Sequence, residues 1–168
     1  MLQQITVPSP LGKLVLLADN SALRGAWFQN QNHFGAIYNL QTIPEGTNPI
    51  LKQGQDWLAA YFAGVHPDPQ ALPLAPAVTP YRQIVLDLLL QIPYGQTKSY
   101  RDVAQAFQQK TGRSTSPRAI GGAIGHNPIS LIIPCHRILG QDGSLTGYAG
   151  GLDRKIWLLE HEKIHYEK

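Results

Sequence analysis

Apolar and polar residues alternate in three short runs at the start of the chain, over residues 2–7, 13–18 and 23–28. Pro8-Ser9-Pro10-Leu11-Gly12 separates the first two runs, and Asp19-Asn20 interrupts the chain before the third. Alternation with period two places every second side chain on one face, so the pattern predicts a three-stranded antiparallel meander. The period then changes. Asn48 is placed to cap a helix, Pro49 suits its first turn, and Ile50, Gly54, Trp57, Leu58 and Tyr61 recur with helical spacing before Gly64. This helix is expected to lay its apolar stripe on the sheet. Pro67, Pro69, Pro73, Pro76 and Pro80 follow, and a stretch missing so many amide donors reads as a semi-rigid connector. It divides the chain into an N-terminal α/β domain, residues 1–75, and a C-terminal domain, residues 76–168.

In the second part, Thr79-Pro80 opens a helix whose buried face is Ile84, Val85, Leu88, Leu89 and Ile92, stopped by Pro93-Tyr94-Gly95. Ser99 caps the next, with Asp102 standing in for the usual capping-box glutamate, and Val103, Ala104 and Phe107 form a stripe ending near Gly112. A third helix begins at Ser116-Pro117. Two short helices joined by a polar turn suggest a helix-turn-helix whose second member carries Arg118 near its start. That second member, Ala119-Ile120-Gly121-Gly122-Ala123-Ile124-Gly125, is almost without side chains. Each interior glycine costs about 1 kcal/mol relative to alanine, so a compensating close approach of its backbone to a neighbour is expected. Beyond Arg118 the helix shows little of the Arg, Asn and Gln of a base-edge reader; the inference is shape-based, sequence-tolerant contact, with the minor groove as the candidate. After Asn127-Pro128, Ser130-Leu131-Ile132-Ile133 reads as a buried strand, Gly140-Gln141-Asp142-Gly143 as a hairpin turn, and residues 146–151 as a flexible loop. A last helix, capped by Asp153, carries Ile156, Trp157 and Leu159.

Composition narrows the class. With 168 residues, 43% hydrophobic and 15% charged, the chain can bury a core and is not of disordered composition. Neither an apolar run of spanning length nor a signal-peptide pattern is found, which predicts a cytoplasmic protein with no membrane partner. The net charge of +3 is unevenly spread. Residues 1–80 hold three basic and four acidic side chains, residues 81–168 eleven and seven, and the stretch from Lys98 to Arg137 six basic against Asp102 alone. That local excess fits phosphate contacts, as does a solvated surface of scattered bases.

Cys135 is the only cysteine. It excludes an internal disulfide and a structural zinc site built on paired thiolates. A free thiol of pKa near ~8.5 is a weak nucleophile at neutral pH unless a base or positive field assists, and His136 and Arg137 are adjacent candidates. Neighbours on a strand face opposite ways, so direct Cys-His contact requires a turn at Pro134 or a bridging water.

The ordered series Asn127-Pro128, Ile133-Pro134-Cys135-His136-Arg137, Gly147-Tyr148-Ala149-Gly150-Gly151, Lys155-Ile156-Trp157-Leu158-Leu159 and His161-Glu162 is similar to the signature of the O6-alkylguanine-DNA alkyltransferases, over roughly residues 80–163. The resemblance implies a two-domain mixed α/β (α+β) fold. Its first domain would be ribonuclease-H-like, a three-stranded sheet with a helix, and its second winged-helix-like, with a helix-turn-helix. It implies a single-turnover cysteine S-methyltransferase acting on O6-alkylguanine in duplex DNA, with O4-alkylthymine as a further substrate. In that reading Cys135 accepts the alkyl group, His136 acts as base through a water, and Glu162 orients His136. Asn127 is the hinge. Arg118 fills the space left by the flipped base, with Ala119, Gly121 and Gly122 on the DNA-facing helix. Tyr100 lies by the rotated phosphate and donates to the base, Tyr148 and Ala149 line the pocket, and the carbonyls of Cys135 and Ile138 accept from the guanine amino group. The implied partner is duplex DNA bound by a monomer, with cooperativity on DNA left open. No metal and no cofactor are implied. The turn over residues 108–116 is longer than the family pattern, His126 replaces a small residue, and no cysteine precedes position 135 to support the zinc site of some relatives.

Taken singly, each of these residues also has an ordinary structural reading. A DNA-binding sensor of alkylated bases that recruits other factors is the alternative, and such relatives lack the cysteine. A cysteine hydrolase would leave the basic helix-turn-helix unexplained, and a sequence-specific regulator is disfavoured by the side-chain-poor helix.

Overall fold

The computed structural model describes residues 1–167 and falls into two compact units. The first comprises Met1–Ala77 together with Pro128–Ile132. Its strands β1 (Gln3–Val7), β2 (Leu14–Ala18) and β3 (Leu23–Phe28) form the predicted antiparallel meander in the order β1-β2-β3. All five residues of the central strand are buried, so β2 is covered on both faces where alternation suggested one. Helix α1 (Pro49–Phe62) supplies one cover. Asn48 caps it by accepting from the Leu51 amide at 2.8 Å, and Ile50, Leu51, Gly54, Trp57, Leu58 and Tyr61 are its buried stripe. Gly54 is required by proximity: a Cβ there would stand 3.3 Å from Leu16 Cδ1, so a larger residue would lift α1 off β2.

The proline-rich connector is more ordered than its composition suggests. Pro69–Ala71 forms a 3-10 turn, and Leu23 exchanges backbone hydrogen bonds with Pro73 and Ala75 at 2.7 and 2.9 Å. The predicted strand at residues 130–133 does not form. Ile129 makes an isolated bridge to Ala26, after which the chain turns tightly with Leu131 at φ +71° and Ile132 donating to the Ser130 carbonyl. An apolar run of this length satisfies burial as either a strand or a folded turn, and its periodicity does not separate the two.

The second unit comprises Val78–Asn127 and Ile133–Lys168. It holds α2 (Pro80–Leu89), β4 (Lys98–Ser99), α3 (Tyr100–Thr111), α4 (Pro117–Gly125), β5 (Ile138–Leu139) and α5 (Leu152–His161). The caps fall where the sequence put them. Thr79 and Ser116 accept from the third residue beyond, and Ser99 and Asp102 form a reciprocal capping box with bonds of 3.0 and 2.9 Å. Gly112 ends α3 at φ +72°, a left-handed conformation that suits glycine. Helices α2, α3 and α4 pack on Val85, Leu86, Leu89, Val103, Phe107, Ile120 and Ala123. Tyr81 packs against Phe107 with the rings tilted by 53° and hydrogen-bonds Thr115 at 2.7 Å, which pins the long turn between α3 and α4. Strands β4 and β5 pair in parallel, Lys98 with Ile138 and Ser99 with Leu139, a contact too short to read from periodicity. It sets the start of α3 beside the segment after Cys135.

Asp153 does not cap α5. Gly151 does so at φ +93°, and Asp153 lies in the first turn, where its charge still favours the helix N-terminus. Among the described residues no helix is long and apolar enough to cross a membrane. The predicted mixed α/β class holds.

Candidate active site

The site lies within the second unit and begins with a turn. Pro134 adopts φ −81°, ψ 63°, and the Cys135 amide donates to the Ile133 carbonyl at 2.8 Å, an inverse γ-turn. Cys135–Arg137 then form one 3-10 turn, so Cys135 and His136 are not held on opposite faces of a strand. Asn127, 4% exposed, donates from Nδ2 to the Ile133 carbonyl at 3.0 Å and so ties the end of α4 to the turn carrying the thiol.

His136 and Glu162 are both buried, and Nε2 meets the carboxylate at 2.6 Å. Glu162 is held from three sides. Arg137 donates to it from Nε at 2.8 Å and from Nη2 at 3.2 Å, and the Gly95 amide donates at 3.1 Å. Arg137 is fixed in turn by the Ile92 carbonyl at 2.8 Å and by the Tyr94 ring, 5.6 Å from its guanidinium carbon. An ionised carboxylate only accepts, so Nε2 carries the imidazole proton toward Glu162 and Nδ1 is the basic nitrogen of the neutral ring.

Electrostatics follow from this packing. Burial alone would push the Glu162 carboxyl up, but the hydrogen bonds and charges of His136 and Arg137 outweigh it and hold the group well below the usual carboxylate range. Burial pushes the His136 pKa down against the pull of Glu162, which keeps the ring neutral and able to accept a proton. Burial also pushes the Cys135 thiol up, opposed by a hydrogen bond from Asn127 and by the charge of Lys155. The resting sulfur is therefore a thiol, and a base is needed to activate it.

The loop over residues 144–151 closes the other side. Tyr100 Oη donates to Thr146 Oγ1 at 2.9 Å, and Lys155 Nζ reaches the same oxygen at 3.0 Å and the Ile138 carbonyl at 2.6 Å. The Ile138 carbonyl, expected to accept from the base, thus already accepts from Lys155 and, at 3.5 Å, from the Thr146 hydroxyl. Among the described residues the buried Tyr148 hydroxyl meets no hydrogen-bond partner, and burial raises its pKa well above the usual value. Ala149 beside it is half-buried.

Cys135, His136, Glu162, Asn127, Tyr100, Ile138 and Tyr148 thus belong to one neighbourhood. Arg118 and Ala119 instead stand exposed on α4, and a Cβ at Gly122 would meet nothing within 4 Å. Gly121 faces inward, where a Cβ would touch the Tyr100 ring at 3.6 Å. Arg137, a sequence candidate for the positive field beside the thiol, and Lys155, which has no role in the sequence reading, are both buried here, Lys155 fully so. A basic residue on the apolar side of a helix was the available signal for Lys155, since charge there is rarely solvated.

A buried thiol beside an imidazole hydrogen-bonded to a buried carboxylate, next to a helix with an exposed, side-chain-poor edge, is the arrangement this unit presents. Residues 80–164 match the family model described as 6-O-methylguanine DNA methyltransferase, DNA binding domain. The methylated-DNA--protein-cysteine methyltransferase of Salmonella typhimurium is 38% identical over 162 residues, covering 93% of this chain and 92% of the relative. That of Haemophilus influenzae is 36% identical over 159 residues, covering 95% and 85%. The crystal structure of Mycobacterium tuberculosis OGT in complex with DNA superposes with a TM-score of 0.82 at 38% identity, covering 96% of this chain and 93% of that one. The chain belongs to the 6-O-methylguanine DNA methyltransferase family.

Proposed function

We infer that the protein repairs DNA by moving the alkyl group of O6-alkylguanine onto its own Cys135, once per molecule. The observation that carries this reading is the buried His136–Glu162 pair at 2.6 Å, placed one residue from the only thiol of the chain. His136 Nδ1 takes the Cys135 proton through a water. The thiolate attacks the alkyl carbon, an S–C bond forms, the C–O6 bond breaks, and its electron pair stays with guanine, which regains a proton to become the ordinary base. An uncharged thioether offers water no leaving group, so the cysteine does not regenerate.

A stacked base does not present O6 to a buried sulfur, so the nucleotide rotates outward at a cost of a few kcal/mol, least for a damaged pair. Arg118 offsets that cost by entering the vacated stack, and the side-chain-poor edge of Ala119 and Gly122 lets the α4 backbone approach the groove. Tyr100, Tyr148 and Ala149 line the pocket that receives the base, with the Cys135 and Ile138 carbonyls toward its amino group. Asn127 holds the turn in register with the docking helix. The N-terminal sheet and α1 serve as the ribonuclease-H-like partner domain. The protein works as a monomer in the cytoplasm.

Incubation with duplex containing O6-methylguanine tests the reading. The peptide containing Cys135 should gain the mass of one methylene and no second equivalent of DNA should be repaired. DNA binding without a mass change would favour a lesion sensor, and repeated turnover would overturn the mechanism. The same assay with O4-methylthymine tests the second substrate.

A further inference from the structure

Pro128–Ile132 belong to the first unit, although in the chain they lie between Asn127 and Cys135 of the second. Backbone bonds pin them to β3: the Ala26 amide donates to the Pro128 carbonyl at 2.9 Å, and the Ser130 amide donates to the Ala26 carbonyl at 2.8 Å. A side chain adds a third bond. The Ser130 hydroxyl donates at 3.0 Å to Oε1 of Gln31, 99 residues away in sequence, and both side chains are buried. The same oxygen accepts from the Phe28 amide at 2.8 Å, while Gln31 Nε2 donates to the Asn32 carbonyl at 3.1 Å. A backbone N–H can only donate, so the Gln31 oxygen is fixed toward Phe28 and the serine hydroxyl is obliged to donate to it. Gln31 stands outside residues 80–164, the part of the chain that the family model matches.

Directly after Ser130 the chain reverses under strain. Leu131 sits at φ +71° while the Ile132 amide donates to the Ser130 carbonyl at 2.8 Å, which is the rarer and strained form of γ-turn. A leucine stays in that conformation only where the surrounding structure over-determines it. The Asn127 side chain holds the far end of the turn at the Ile133 carbonyl, and the Gln31–Ser130 bond holds the near end. Cys135 follows Ile133 by two residues. With the near end released, Leu131 can relax to negative φ, and a backbone rotation four residues from the thiol displaces everything up to it. We propose that Gln31 and Ser130 are positioning residues for alkyl transfer: their buried hydrogen bond keeps the strained turn at Leu131 in place, and that turn sets where Cys135 stands. The proposal deepens the reading of Cys135 as alkyl acceptor and rests on it. Both residues act through the backbone and not on the reacting atoms.

Ser130→Ala is the gentler variant, because Gln31 still accepts from the Phe28 amide; Gln31→Ala removes the acceptor itself. Each full-length protein is given O6-methylguanine duplex in single turnover, Kd for the same duplex is measured separately, and amide hydrogen exchange is followed without DNA. In Ser130→Ala, transfer at saturating DNA should slow about tenfold while Kd stays within about twofold, since a small misplacement of a reacting group costs rate and not docking. The Cys135 amide, bonded to the Ile133 carbonyl, should exchange about tenfold faster, with the Val103 and Phe107 amides of α3 unchanged. A bond that only adds stability would move the Cys135 and α3 amides together. Transfer within about threefold of wild type, or a Cys135 amide that changes only in step with those of α3, overturns the proposal. Gln31→Ala should show the same split between rate and Kd, and if it does not fold, Ser130→Ala decides alone. Failure of the wild type to take up the methyl group would sink the repair reading, whereas exchange at the Cys135 amide still judges the turn.

Discussion

Replacing Glu162 by glutamine keeps the shape of the side chain and reverses the chemistry of half of it. In the wild type both oxygens accept, one from His136 and Arg137 Nη2, the other from Arg137 Nε and the Gly95 amide. The glutamine NH2 must displace one of these oxygens. Placed toward Arg137 Nε and Gly95 it meets two donors that have no alternative protonation state. Placed toward His136 it meets one fixed donor, Arg137 Nη2, and a ring that can change tautomer. The second arrangement is the less costly, and it obliges His136 to accept at Nε2 and carry its proton on Nδ1, the nitrogen needed to receive the cysteine proton. The analogous tautomer fault in a serine protease triad costs about 10⁴ in rate, and a loss of 10²–10⁴ in single-turnover methyl transfer is expected here. Stability falls as well, because Arg137 is left buried without its anion. Breaking one partner out of a buried pair costs about 3–5 kcal/mol, which at about 2–4 °C per kcal/mol for a chain of this size lowers Tm by roughly 6–20 °C. Transfer is therefore measured well below the variant's melting range, with far-UV circular dichroism reporting that it is folded. A folded Glu162→Gln protein that methylates Cys135 within about threefold of wild type would refute the assigned tautomer and with it the role of His136 as base.

Acid should destabilise the protein in two steps. The folded-state pKa values of His136 and Glu162 both lie below the ordinary values of 6.5 and 4.5, so the unfolded chain binds more protons and stability falls as pH drops below each. Thermal melts between pH 7.5 and 4 should show Tm declining first below about 6.5, and a flat Tm down to pH 5.5 would contradict a neutral buried His136. Gly122→Ala should raise stability by up to about 1 kcal/mol, because a Cβ there meets nothing within 4 Å, while weakening duplex binding. A lower Tm, or unchanged DNA affinity, would remove Gly122 from the docking surface. Arg118→Ala should slow repair more than it weakens affinity, and equal losses in single-turnover rate and in Kd would reduce Arg118 to a phosphate contact.

Local chemistry made much of the fold readable. Caps at Asn48, Thr79, Ser99 and Ser116 and the glycine stop at Gly112 each act within three or four residues, so residue order alone exposes them. The turn at residues 130–133 and the pairing of β4 with β5 were not readable, because both are decided by what packs against them. Residues 131–133 and β5 are apolar and buried, and burial is all their pattern encodes, whereas β4 is two polar residues with no period to read. The site divides the same way. Cys135, His136 and Glu162 stand in a recognisable order, but nothing in the order says that Arg137 folds back onto Glu162 or that Lys155 turns inward. Arg137 lies 25 residues from the carboxylate it grips, and Lys155 lies 17 from the Ile138 carbonyl. Such contacts appear only when the chain has closed.

Burial and reactivity oppose one another at Cys135. An exposed thiolate would react with any soluble electrophile, and a protein consumed by each reaction would be lost to incidental chemistry. Burial to 3% exposure raises the energy of the anion and keeps the sulfur protonated, which protects it. The same burial would make it useless if the groups that lower that barrier were not already in place. They are: a neutral imidazole held in one tautomer, a carboxylate kept ionised by Arg137, an amide from Asn127 and the ammonium of Lys155. None of them reorganises much when the proton moves, because each is fixed by a second partner. The electrostatic cost of forming the thiolate is thus met by preorganised dipoles and charges, and what remains is to deliver the alkyl carbon within reach. Under the proposed mechanism, selectivity for a lesion in DNA then rests on delivery, and the sulfur itself needs no discrimination.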